Sequence, residues 1–343
     1  MRVPSTMTAA VTLAHGGPAQ LEVRSEWPCP QPGPGQALVR VTGAALNNTD
    51  IWSREGAYGT AADADAVVGW KGVPLDFPRI QGIDIVGRIS AVGAGLDAVW
   101  LDTRVIVDPA ARYVDDLPSD IVGSEVDGGF AEYHLCSMAQ LHDVSESPLT
   151  DRQLACLPTA YGTALGMIDR AACAPGERVL VTGSSGGVGM AAIQLLLHRG
   201  CEVVARTSAA HRDLIADLGV AEVSVRDVDQ VRDLRPVDAV VDVVGGDEFA
   251  SLVDRLRDKG RLVTAGAIGG PVVSLDLRRL YLQQRTLIGS TMHTPAGFRR
   301  LAEIANAGGV HPIVAATYPL ADIATAQARF VSRDFVGKLV VVP

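Results

Sequence analysis

A chain of 343 residues is long for one hydrophobic core, so two domains are expected. Hydrophobic residues at 48% and charged residues at 20% suit a globular chain, and a formal charge of −9 argues against a general nucleic-acid or acidic-membrane surface. No apolar run approaches the roughly 18 residues of a membrane span, and MRVPSTMTAAV has no signal-like apolar core. A cytoplasmic protein with no nucleic-acid or membrane partner is therefore expected. Cys29, Cys136, Cys156, Cys173 and Cys201 form no C-x-x-C pair, which excludes a zinc ribbon and a redox dithiol and leaves reduced thiols.

Short apolar runs open the chain: AAVTL at 9–13, ALVRVTGAAL at 37–46, IVGRISAVG at 85–93 and TRVIVDP at 103–109. Pro and Gly punctuate them, as in PCPQPGPGQ at 28–36, so this third reads as many strands joined by tight turns. The character then changes. RVLVTG (178–183) precedes the helical run GVGMAAIQLLLHRG, and EVVART (202–207) precedes AAHRDLIADLG. EVSVR (222–226), AVVDVVGG (239–246), a helix around 247–258, GRLVTAG (260–266) and TLIGSTM (286–292) follow. Strands alternating with helices signal βαβ units and a parallel sheet. The last fifty residues are read as one helix, PAGFRRLAEIANAGG, and a closing strand, GKLVVV (337–342).

Gly183, Gly186, Gly187 and Gly189, with Ser184, Ser185 and Val188 among them, lie between a predicted strand and a predicted helix. Glycines there let a pyrophosphate approach main-chain N–H groups, and the helix N-terminus adds partial positive charge. The G-x-x-G-x-x-G spacing is one residue longer than the strict dinucleotide fingerprint. An NAD site places an acid at the end of the second strand for the ribose 2′-OH. Here that strand ends in Arg206, Thr207 and Ser208, with His211 and Arg212 following. Cationic and hydroxyl groups suit a 2′-phosphate, so NADPH is the expected cofactor.

With these motifs go PGPGQALVRVTGAALN (32–47), QGIDIVG (81–87), DGGFAEY (127–133), LPTAYGTAL (157–165), VDVVGG (241–246) and FVGKLVVVP (335–343). Their order and spacing resemble the medium-chain dehydrogenase/reductase superfamily, in its zinc-independent quinone oxidoreductase and enoyl reductase branch. The resemblance implies an α/β architecture: a Rossmann doubly wound parallel sheet inserted into a GroES-like, mostly-β domain. The implied boundaries are a substrate domain at 1–147, a nucleotide domain at 148–292, and a segment at 293–343 that completes the first domain, with the ligand between the two.

Zinc members carry a catalytic Cys before a Thr-Asp pair and a His-Glu pair in G-H-E-x-x-G. This chain has Asn47-Asn48-Thr49-Asp50 and Gly82-Ile83-Asp84-Ile85-Val86-Gly87 in those stretches, and no Cys between 94 and 130. A catalytic zinc needs about three ligands, so no metal is expected. Without a Lewis acid, hydride delivery to an electron-poor small molecule remains, either a quinone or an α,β-unsaturated carbonyl compound. An enoyl-thioester reductase and a low-turnover NADPH-binding protein are the alternatives.

By resemblance Asn47 faces nicotinamide and substrate, and its amide is a candidate donor to the developing oxyanion. Trp52 stands where related reductases carry Tyr, and Tyr58 lies nearby. Asp50 is read as structural, pairing with Arg54 or capping a helix at 49–54. The resemblance adds Thr163, Val244, Gly245, Gly266, Ala267, Ile268 and Lys338 to the cofactor set. The long stretch 56–80 is read as a wall of the substrate pocket, against a plain surface insertion. TLIGSTM is read as an apolar edge strand pairing with its copy, which makes a homodimer.

Overall fold

The computed structural model describes residues 3–58 and 68–343. The chain forms two compact units, Met1–Thr159 with Thr294–Pro343, and Ala160–His293.

The first unit is built around the strand Gln36–Ala45, in which Ala37, Leu38, Val39 and Val41 are buried. It pairs antiparallel with Val86–Val92 on one side and with Lys338–Val342 on the other. Arg104–Val107 and Leu141–Asp143 extend the sheet beyond Val86–Val92, and Val314–Pro319 lies parallel to the C-terminal strand. The register sets Val340 against Ala45, and Leu46 donates its N–H to Leu339 O at 2.9 Å. That pairing brings Lys338 to Asn47. Burying each Val, Leu or Ile of such a strand contributes roughly 1.5–3 kcal/mol before chain entropy is subtracted.

Three features depart from the sequence reading. The cysteine-free stretch contains a hairpin, Ala110–Val114 with Leu117–Ile121, turned through Asp115 and Asp116, both at positive φ. The C-terminal fifty residues hold two helices rather than one, Pro295–Asn306 and Ile323–Ser332. The second buries Ile323, Ala326 and Gln327, a face too small and too polar to stand out in the pattern. The helix expected at 247–258 spans only Phe249–Arg255, because Leu256 already belongs to the next strand.

The second unit is a six-stranded sheet. Its strands are β1 (Arg178–Val181), β2 (Glu202–Thr207), β3 (Glu222–Val225), β4 (Val237–Asp242), β5 (Leu256–Thr264) and β6 (Thr286–Gly289). The order is β3-β2-β1-β4-β5-β6 with every pairing parallel. Such a sheet needs both faces covered, which is why its strands read as continuous Val, Leu and Ala runs. Label Asn48–Glu55 of the first unit α1, Gly187–His198 α2 and Phe249–Arg255 α3. Phe249, Leu252 and Val253 of α3 pack with Leu180, Val204, Val240 and Leu262 of the sheet. The chain order reverses at β1, so the crevice beyond the carboxyl ends of β1 and β4 is where a ligand of this fold sits.

Candidate active site

β1 ends at Val181 and the glycine loop begins. Gly183 has φ of +58°, and a Cβ on Gly189 would lie 2.2 Å from Gly183 O. Only glycine allows α2 to start this close to the strand. Gly186 caps α2 with no side-chain hydrogen bond, so side chains leave the N–H groups of the first turn to a ligand. Ser184 is fully buried; its hydroxyl donates to Val181 O at 2.9 Å and its N–H to Arg206 O at 3.3 Å. Ser185, Gly187 and Val188 are half-buried. Thr163 is buried on the helix Gly162–Arg170.

The sequence reading passed over Asp242. This buried carboxylate ends β4 and accepts from Thr182 Oγ1 at 2.6 Å, Val244 N at 3.1 Å and Gly245 N at 3.0 Å. Burial pushes its pKa up, while those donors oppose the shift. Asp242 thus shapes the Val244–Gly245 turn from inside. Gly269 N donates to Val244 O at 2.7 Å, tying that turn to the Gly266–Ile268 segment, where Ile268 is exposed. The only sequence signal was an acid at the end of an otherwise apolar strand.

A cavity of about 240 Å³ opens beside these loops, with Arg206, Arg226, Asp227, Val244, Asp247 and Glu248 in its wall. Arg206 does not offer the free charge expected of it. The side chain is buried and bound to Glu248 by two hydrogen bonds, Nε at 2.9 Å and Nη2 at 2.5 Å. Its Nη1 donates to Ser224 Oγ at 2.7 Å and Asp229 O at 3.2 Å. A buried guanidinium needs a counter-charge, and the folded chain supplies one. Thr207 behaves oppositely: its hydroxyl is buried and has no hydrogen-bond partner among the described residues. A buried polar atom left unpaired costs about 1–3 kcal/mol, and Thr207 stands next to Arg206 at the end of β2. Ser208 Oγ lies 3.2 Å from His211 Nδ1, and Arg212 is exposed.

In the first unit, α1 starts at Asn48 with Asn47 as its N-cap. Asp50 accepts the Asn47 N–H at 2.8 Å through Oδ2, and the N–H groups of Gly82 (3.2 Å) and Ile83 (3.1 Å) through Oδ1. Gly82 has φ of +102° and sits against Phe130, so no side chain fits there. Arg54 does not pair with Asp50; it donates to Gly16 O at 2.5 Å and lies 3.5 Å from Glu55. Asp84 is fully buried. It accepts from Asn47 Nδ2 at 2.9 Å and Lys338 Nζ at 3.2 Å through Oδ2, and from Thr159 N at 2.7 Å through Oδ1. Lys338 Nζ also donates to Asn47 Oδ1 at 2.5 Å, and Asn47 Nδ2 donates to Ala45 O at 3.2 Å. Burial, reinforced by the Asp84 charge, pushes the Asp50 carboxyl up to about 7; Lys338 and the backbone donors pull the other way. The structure therefore joins Asn47 to Lys338, from the far end of the chain, and to Asp84, which the sequence reading did not select.

Trp52 and Tyr58 pack edge to face with ring centroids 6.0 Å apart, and Trp70 meets Tyr58 at 5.8 Å. The Tyr58 hydroxyl donates to Thr49 Oγ1 at 3.0 Å, and burial pushes its pKa up to about 12. It is a poor proton donor at neutral pH. Within the 56–80 stretch, Lys71 pairs with Asp120, and residues 59–67 lie outside the described residues.

A parallel sheet in β3-β2-β1-β4-β5-β6 order with a glycine loop after its first strand defines a dinucleotide-binding unit. Residues 33–146 match the alcohol dehydrogenase GroES-like domain family, and residues 187–307 the zinc-binding dehydrogenase family. Human quinone oxidoreductase is 26% identical over 95% of this chain and 94% of its own. A solved Sinorhizobium meliloti 1021 structure, described provisionally as an alcohol dehydrogenase, is 44% identical with a TM-score of 0.94, covering 99% of this chain and 98% of the other. A 2-octenoyl-CoA carboxylase reductase solved with NADP and 2-octenoyl-CoA is 26% identical with a TM-score of 0.84, covering 99% of this chain and 88% of the other. The chain belongs to the medium-chain dehydrogenase/reductase superfamily, in its quinone oxidoreductase and enoyl reductase-like branch, and is an oxidoreductase with GroES-like and Rossmann domains.

One of the matching families is zinc-binding, so the fit of a metal needs testing. The donor set does not fit. Ile83 cannot ligate, the Asn47 amide is bonded within the protein, and Asp84 already holds the Lys338 ammonium. Among the described residues no group of three or more His, Cys, Asp or Glu side chains could hold a metal ion.

Proposed function

We propose that this protein is an NADPH-dependent, metal-free reductase that delivers hydride to an electron-poor acceptor, a quinone or an α,β-unsaturated carbonyl compound. The observation that carries the reading is the Lys338 ammonium, held by Asn47 and Asp84 within the two stretches where zinc relatives carry their ligands. A fixed cation there leaves no place for the Lewis acid that alcohol oxidation uses. Bound NADPH supplies the hydride. The α2 N-terminus and the glycine loop bind the pyrophosphate, and Thr207, Ser208 and Arg212 take the 2′-phosphate. The relative solved with NADP supports this choice.

Both Asn47 amide hydrogens are committed, to Ala45 O and Asp84, so Asn47 acts by holding Lys338 rather than by donating to substrate. Lys338 has three N–H groups and two bonds, which leaves one donor for developing negative charge. The Tyr58 hydroxyl is engaged with Thr49 Oγ1, so water is taken as the proton source. The edge strand β6, with Leu277, Tyr281 and Leu282 exposed before it, is read as the contact with a second copy.

The test follows NADPH consumption against quinones, enones and enoyl-CoAs, with metal content measured in parallel. Turnover of quinones or enones without bound zinc is expected. Turnover of enoyl-CoAs alone moves the assignment to a thioester reductase. Tight NADPH binding without turnover of any member makes it a binding protein, and stoichiometric zinc overturns the metal-free reading.

A further inference from the structure

We propose that Glu248 sets how strongly the protein discriminates between phosphorylated and unphosphorylated dinucleotide, acting through Arg206. The proposal rests on the reading above only in taking the cavity beside β2 as the adenosine end of the nucleotide site.

Arg206 is the penultimate residue of β2, near where a 2′-phosphate would look for a cation. A guanidinium has five N–H groups, and four of these are spent: two on Glu248, one on Ser224 and one on Asp229 O. The pair with Glu248 is the bidentate fork that a phosphate would otherwise take. The Arg206 side chain is 3% exposed and that of Glu248 43%, so the cation is sealed behind its partner while the carboxylate stands at the cavity. Arg206 holds the Glu248 carboxyl below its ordinary range, so Glu248 is anionic at neutral pH.

The backbone fixes this arrangement. Gly245 and Gly246 turn the chain after β4 with φ of +65° and +67°. A Cβ on Gly246 would meet Gly269 O at 2.4 Å, so the turn has no slack. Glu248 follows this turn and reaches Arg206 of β2, and Asp247 beside it stands in the cavity wall. Their charges, with Asp227, outweigh the remaining wall cation Arg226. A ribose hydroxyl can donate to such a wall, whereas a dianionic 2′-phosphate is repelled by it and finds its best guanidinium already engaged. Glu248 therefore tempers the preference that Thr207, Ser208 and Arg212 create.

The experiment is calorimetric titration of the full chain with 2′,5′-ADP and with 5′-AMP. Glu248→Gln keeps the side-chain shape and removes the charge. It should tighten 2′,5′-ADP about tenfold and leave 5′-AMP within about twofold. Arg206→Gln strips the carboxylate of its counter-ion and should weaken 2′,5′-ADP by a similar factor. A merely structural pair would shift both ligands together in both variants. An unchanged ratio in a folded Glu248→Gln protein overturns the proposal, and the opposite shift in Arg206→Gln tests the same link should the first variant not fold. Failure of the wild-type chain to bind either ligand instead sinks the adenosine reading of the cavity.

Discussion

Two polar regions of this molecule handle buried charge in different ways. In the first unit Asn47, Asp50, Asp84 and Lys338 are all buried, and the carboxylates find their partners inside the protein. In the second unit the glycine loop and the end of β2 leave donors unspent: an uncapped helix start, a buried Thr207 hydroxyl with no partner, and an exposed Arg212. The first arrangement is bonded within the protein except for one Lys338 N–H and serves to hold that cation in place. The second becomes complete only when something binds. Breaking a buried charge pair from one side destabilises the fold, whereas donors left open can mark recognition.

Lys338→Met gives the largest expected effect. It strands the Asp84 carboxylate, and breaking a buried pair from one side costs about 3–5 kcal/mol, read as a lower urea midpoint. A loss below about 1 kcal/mol would mean the cluster is not closed in the way described.

Next comes pH. The Asp50 pKa stands at about 7 in the fold, raised from 3.8. Between those values the unfolded carboxyl has lost its proton and the folded one keeps it. Stability contributed by this group therefore falls as pH rises through that window and levels off above it. Asp50→Asn cannot titrate, so wild-type stability relative to this variant should decline by about 2 kcal/mol between pH 5 and pH 8. A flat difference in urea denaturation across that range would remove Asp50 from the titration.

The open region predicts the reverse balance. Thr207→Val removes a hydroxyl with no internal bond, so the melting temperature should hold or rise, while NADPH binds about tenfold more weakly. Loss of stability with unchanged binding would show that the hydroxyl serves the fold. The smallest effect belongs to Tyr58→Phe: kcat should stay within about twofold, because the buried hydroxyl is engaged with Thr49. A large drop in kcat alone would restore Tyr58 as the acid.

Much of this was legible in the chain. The strand, glycine loop and helix at 178–198 rest on local periodicity and on turn residues that permit one backbone path, and the structure follows them within a residue or two. That Asn47 or Asn48 stands where a thiolate is needed, and Ile83 where an imidazole is needed, is likewise a matter of residue type. The sequence singles out Arg206 as a cation near a strand end, but it does not show the partner that engages it. Glu248 lies 42 positions away and reaches it only because β4 is two strands from β2.

By itself, then, the sequence determined which segments extend, coil and turn, because side-chain period and backbone sterics act over a few residues. Only the tertiary structure decided which charges meet. Lys338 reaches Asn47 across 291 positions because the last strand enters the sheet beside Gln36–Ala45. The counter-ion of a buried group is set by strand order and register, and these depend on how the whole core closes.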